Sequence, residues 1–134
     1  MGKVLDDAQV AAYRRDGIHF PVDVMSTDEA AALRARLEAT EASHGGRLPM
    51  RINQKPHLLY PWMAELVRHP RILDAVEDVL GPDILCWSAQ FFAKNAHDPS
   101  YVSWHQDGTY WGLSSPDVVT AWVALTPSTP LSGC

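Results

Sequence analysis

His105 and Asp107 stand two residues apart within Tyr101-Val-Ser-Trp-His-Gln-Asp-Gly-Thr-Tyr-Trp-Gly112. In an extended segment, residues i and i+2 point to the same face, so the imidazole and the carboxylate converge while Gln106 points away. Neutral imidazole and carboxylate are two of the three donors of a 2-His-1-carboxylate site for non-haem Fe(II). That geometry leaves open positions for a co-substrate and dioxygen. Trp104, Tyr110 and Trp111 supply apolar surface that can exclude water, and Gly108 lets the backbone bend beside a metal. The spacing alone is equally compatible with a hydrogen-bonded pair at a strand end. No local sequence singles out a second histidine among His19, His44, His57, His69 and His97.

The elements that must position this pair follow from periodicity and capping. Asp6 to Arg15 reads as a short amphipathic helix stopped by Gly17, and Ile18 to Val22 as an extended segment. Ser26-Thr-Asp-Glu29 is a capping box opening a helix that runs to about Ala42. Ser43 to Gly46 is a loop. From Leu48 to Pro61 the prolines at 49, 56 and 61 are expected to break any helix. Arg51, Lys55 and His57 fall in that loop, as solvated charge or as a cation meeting an acidic co-substrate. Trp62 to His69 looks helical, and Pro70 can open the next helix, Arg71 to Leu80, which Gly81-Pro82 ends.

Strand character then takes over. Alternation in Ile84 to Ala93 puts Trp87, Ala89, Phe91 and Ala93 on one face, with Cys86, Ser88, Gln90, Phe92 and Lys94 on the other. Val118 to Leu125 is a second strongly β run. Helices first and strands second indicate an α+β domain over residues 1–134, mostly helical to about 82 and mostly strand from 83.

The chain has 134 residues and a formal charge of −5, with an isoelectric point near 5.6. That charge argues against nucleic acid or an anionic membrane surface as main partner, and no apolar run approaches a membrane span. Two cysteines, Cys86 and Cys134, make no disulfide framework; Cys86 is expected as a buried thiol and the cytoplasm as the compartment.

Asp16-Gly17-Ile18, the run Pro70 to Pro82, Trp104-His-Gln-Asp107, Ala121-Trp-Val-Ala-Leu125 and Ser132-Gly-Cys134 together resemble the phytanoyl-CoA dioxygenase family. The resemblance implies an oxygenase using Fe(II), 2-oxoglutarate and O₂, with ascorbate as a supporting reductant, acting on a small organic molecule. It implies that the strands open a double-stranded β-helix, a cupin-like jelly roll. His105 and Asp107 match the first two iron ligands. Trp122 matches an aromatic beside the 2-oxoglutarate pocket, and Gln90 and Lys94 lie on a strand that contacts co-substrate and substrate. Lys55, and after it Arg51, is the candidate basic residue upstream of the Pro70 helix.

Family members continue past the Ser-Gly-Cys position into strands carrying a distal His ligand and an Arg for the far carboxylate of 2-oxoglutarate. The chain is therefore expected to be an N-terminal portion. Residues 1–134 alone are expected to be catalytically silent and prone to self-association through exposed strand edges. A non-enzymatic module is the alternative. A halogenase, which needs a small residue in place of the carboxylate ligand, is disfavoured by Asp107.

Overall fold

The computed structural model describes residues 2–132. Gly133 and Cys134, the end of the Ser-Gly-Cys run, lie outside the described residues. Side-chain caps set the first two helices. In α1 (Asp7–Asp16) the Asp6 carboxylate accepts from the Gln9 N–H while the Gln9 side chain accepts from the Asp6 N–H, both at 2.8 Å. Gly17, at φ 74°, closes the helix in the left-handed conformation that glycine takes without a Cβ penalty. Ser26 and Glu29 repeat the reciprocal cap at the start of α2 (Thr27–Ser43).

Prolines that were expected only to break helices instead start them. Pro49 is the N-cap of α3 (Met50–Asn53), Pro56 opens a 3₁₀ turn to Leu58, and Pro61 opens α4 (Pro61–Leu66). The first helical turn needs no N–H from its leading residue, so proline's missing donor costs nothing there. Pro70 likewise opens α5 (Pro70–Leu80), whose Ile72 joins Leu5, Leu48, Met63 and Pro56 in a small buried core.

Leu5 reaches that core because the N-terminal segment folds around one carboxylate of α5. The backbone N–H groups of Lys3, Val4 and Leu5 donate to Asp78 at 2.7, 2.8 and 2.7 Å. Lys3 Nζ meets Glu77 at 2.7 Å and Asp74 at 3.5 Å on the same helix. A Cβ at Gly2 would fall 1.8 Å from the Leu5 carbonyl oxygen, so the turn closes only with glycine. At the N-terminal end of α5, the Arg71 guanidinium donates twice to the Asp23 carbonyl, at 3.0 and 2.9 Å, and ties down the connection between α1 and α2.

Beyond α5 the expected architecture is corrected. Among the described residues there is no β-strand, so the α+β assignment and the opening strands of a jelly roll are not present. Ile84–Ala93 and Val118–Leu125 carry no ladder, and no strand edge of the kind expected to mediate self-association exists among the described residues. A strand is made by hydrogen bonds to a neighbour. Aromatic and β-branched composition measures fit to a pleated, half-buried surface, not an independent backbone preference. Here nothing supplies that surface: Leu85 is 84 % exposed, Tyr101 85 % and Trp104 93 %. No helix among the described residues is long and apolar enough to cross a membrane.

The Asp78 cradle makes a testable contribution to stability. Partial burial pushes its carboxyl up, but the three N–H donors outweigh this and hold it below its ordinary 3.8. A depressed folded-state value means that the stabilisation is present above the ordinary carboxylate range and is lost as pH falls through the folded value. Asp78→Ala should therefore cost about 1–2 kcal/mol at neutral pH in urea unfolding, after allowance for partial exposure. The difference from wild type should close in acid below that range.

Candidate functional site

The run from Tyr101 to Gly112, expected as extended, turns at Asp107 into α6 (Gly108–Trp111). Asp107 is itself right-handed helical (φ −54°, ψ −41°) and occupies the N-cap position without making a side-chain cap bond. Its carboxylate is thereby left to face His105, and Nε2 lies 3.2 Å from Asp107 Oδ1. The convergence thus comes from a turn rather than from strand alternation. The side chains are 36 % and 32 % exposed, within reach of small solutes.

Two further contacts fix the pair. His105 Nδ1 lies 2.7 Å from the Ser103 carbonyl oxygen, a bond that makes Nδ1 the protonated nitrogen and turns Nε2 toward Asp107. Thr120 donates its hydroxyl to Asp107 Oδ2. The Tyr110 ring stands edge-on to the imidazole, with centroids 6.1 Å apart. The hydrogen bond to the Ser103 carbonyl holds the imidazole above its ordinary value; burial opposes this, and the Asp107 carboxylate adds to the rise. A proton and a metal ion are alternative occupants of the space between Nε2 and Oδ1.

The donor set fits a metal. Two donors bound at about 2.1 Å and at a right angle stand about 3 Å apart, close to the separation seen. Imidazole with carboxylate suits first-row ions such as Fe(II). Among the described residues no third His, Cys, Asp or Glu joins them to make a three-donor group.

The other candidates lie at different distances from this pair. Lys55 sits in the left-handed region (φ 58°, ψ 48°), with its Nζ 4.7 Å from the centroid of the Trp87 ring. Trp87 packs against Trp111 of α6 at 6.2 Å, so an aromatic bridge connects the Lys55 cation to the helix that follows Asp107. Arg51 on α3, Gln90, Lys94 and Trp122 are exposed. No hydrogen bond, ion pair or ring contact among the described residues joins these four to His105 or Asp107. Cys86, expected to be buried, is exposed, and the segment that carries it joins no sheet. Its Sγ lies 4.0 Å from His57 Nε2. Partial burial and, after it, the Lys55 and Arg68 cations hold His57 below its ordinary value.

Two residues had no sequence signal as site components. Thr120 reads in the sequence as one more β-former, and its role depends on a contact thirteen positions from Asp107. Asn53 accepts from the Phe91 N–H at 2.8 Å and donates to the Phe91 carbonyl at 3.0 Å, as a neighbouring strand would. The Lys55 N–H adds a bond to the Ala89 carbonyl at 3.0 Å. These bonds pin the segment that carries Trp87, Gln90 and Lys94.

Residues 13–134 match the family model described as Phytanoyl-CoA dioxygenase (PhyH). Similar curated proteins include an "Ectoine dioxygenase" of Bordetella parapertussis, 28 % identical over 93 % of this chain and 46 % of its own length. An "L-proline trans-4-hydroxylase" of Streptomyces griseoviridis is 28 % identical over 95 % of this chain and 51 % of its own. An "Ectoine dioxygenase" of Nocardia farcinica is 25 % identical over 93 % and 47 %. The chain thus spans about half the length of the curated relatives it matches. No solved structure matches.

Asn53→Ala should cost about 1–3 kcal/mol, because it leaves both polar groups of a half-buried Phe91 backbone unpaired. Limited proteolysis should show faster cleavage within residues 84–94, with the cleavage rate in α1 and α2 unchanged.

Proposed function

The chain belongs to the phytanoyl-CoA dioxygenase family, and from that premise we propose that it carries the metal-binding part of an Fe(II)/2-oxoglutarate-dependent oxygenase. The enzyme works in the cytoplasm and hydroxylates a small organic molecule. The observation that supports this most is the pairing of His105 Nε2 with Asp107 Oδ1 at 3.2 Å, with Nδ1 committed to the Ser103 carbonyl. His105 Nε2 and Asp107 Oδ1 would hold the iron. Iron bound there, with 2-oxoglutarate and dioxygen, would supply the oxidising chemistry.

The chain's own residues bind and orient. Lys55 has no carboxylate partner among the described residues, and its place over Trp87 keeps a cation available for an acidic co-substrate. On the family resemblance alone, Trp122 is assigned beside the 2-oxoglutarate pocket, and Gln90 and Lys94 to contacts with co-substrate and substrate. Arg51 stands behind Lys55 as second choice. Ectoine and L-proline, after which two relatives are named, are the first substrates to try.

Metal binding is the direct test. In anaerobic equilibrium dialysis, wild type should retain Fe(II), while His105→Ala and Asp107→Ala, still folded by circular dichroism, should lose it. Binding that survives both changes would show that these residues are not the ligands. In any form of this protein that turns over 2-oxoglutarate, His105→Ala should abolish succinate formation.

Among the described residues only two donors meet, and two protein donors alone hold iron weakly; this favours a second reading in which the chain by itself catalyses nothing. With Fe(II), ascorbate and 2-oxoglutarate, residues 1–134 should yield no more succinate than the His105→Ala control. Excess succinate from monomeric protein would mean that another histidine of the chain completes the site.

A further inference from the structure

We infer that Thr120 is a positioning residue for the metal site, presenting Asp107 as a single-oxygen donor. The inference rests on the assignment of His105 and Asp107 as ligands. An ionised carboxylate only accepts hydrogen bonds, and it offers two oxygens. Thr120 donates its hydroxyl to Oδ2, and Oδ1 is the oxygen that faces His105 Nε2 at 3.2 Å. The carboxylate torsion of aspartate is broad, so without a partner at Oδ2 the group can rotate and offer both oxygens to one ion.

Two-oxygen binding would consume a coordination position that a co-substrate needs. The β-branch at Thr120 restricts its own rotamer and so fixes the direction of the hydroxyl. Ser103 performs the matching task on the histidine, through its carbonyl at Nδ1. Each metal-facing atom thus has a fixed counterpart behind it, one from the segment just before the pair and one from the segment after α6. Thr120 is exposed, so replacing it opens no cavity in the core.

The test uses Co(II) alone, a redox-stable stand-in for Fe(II), titrated into the 134-residue chain and followed by its visible absorption. Thr120→Val should weaken Co(II) binding about 10–100-fold and change the shape of the absorption band. Thr120→Ser keeps the hydroxyl and should bind within about threefold of wild type. Circular dichroism and the thermal midpoint should match across the set, with Thr120→Ala as a second hydroxyl-free form should Thr120→Val not fold.

Unchanged Co(II) affinity and band shape in Thr120→Val would overturn the inference while leaving the ligand assignment standing. Equal weakening in Thr120→Ser and Thr120→Val would also overturn it, since the hydroxyl would then not be the agent. Wild type and His105→Ala binding Co(II) alike would remove the ligand assignment itself, and the role of Thr120 with it.

Discussion

The paired hydrogen bonds between the Asn53 carboxamide and the Phe91 backbone are the constraint on which the site's placement depends. Among the described residues, the hydrogen bonds crossing from the helical part to the segment after α5 run through Asn53, Lys55 and His57, all in one proline-punctuated stretch. The buried apolar side chains Leu5, Leu48, Met63 and Ile72 all belong to the helical part. The segment has no comparable core. Its position follows from a few polar contacts and from rings laid against one another, Trp62 on Phe91 and Trp87 on Trp111. Stability within such a molecule is uneven, and local opening is cheapest where burial is least.

The candidate site therefore lies on the weaker part. His105, Asp107 and Thr120 all lie in segments with little buried surface, and their mutual hydrogen bonds supply the local order. A metal ion bound there would add to the stability of the segment as well as occupy a site, because ligation and local folding draw on the same free energy.

The helical part was legible because its signals are local. Asp6 with Gln9 and Ser26 with Glu29 fix helix starts within four residues of sequence, and Gly17 and Gly81 mark the ends. The Pro-rich stretch misled, since proline's effect depends on whether it falls inside a turn or at its first position. The strands failed for a different reason. Alternating composition in Ile84–Ala93 describes a surface waiting for a neighbour, and among the described residues no neighbouring strand is present. His105 and Asp107 were legible as residue types, though the turn that brings them together was not. Thr120 and Asn53 were invisible, because an ordinary threonine and an ordinary asparagine acquire their roles only from what lies across from them in space.

Lys55 ties these observations to a mechanical consequence. A residue with a Cβ in the left-handed region is held there at a cost of roughly 1–2 kcal/mol. It also precedes a proline, which disfavours the right-handed helical region for it. What keeps it bent is the grip of its N–H on the Ala89 carbonyl. The loop behaves as a loaded spring with its catch on the neighbouring segment. Whatever peels residues 89–91 away releases the bend and swings the ammonium off Trp87 in the same motion. The position of that cation and the docking of the segment are accordingly coupled, and the ammonium lies over Trp87 while the latch is closed.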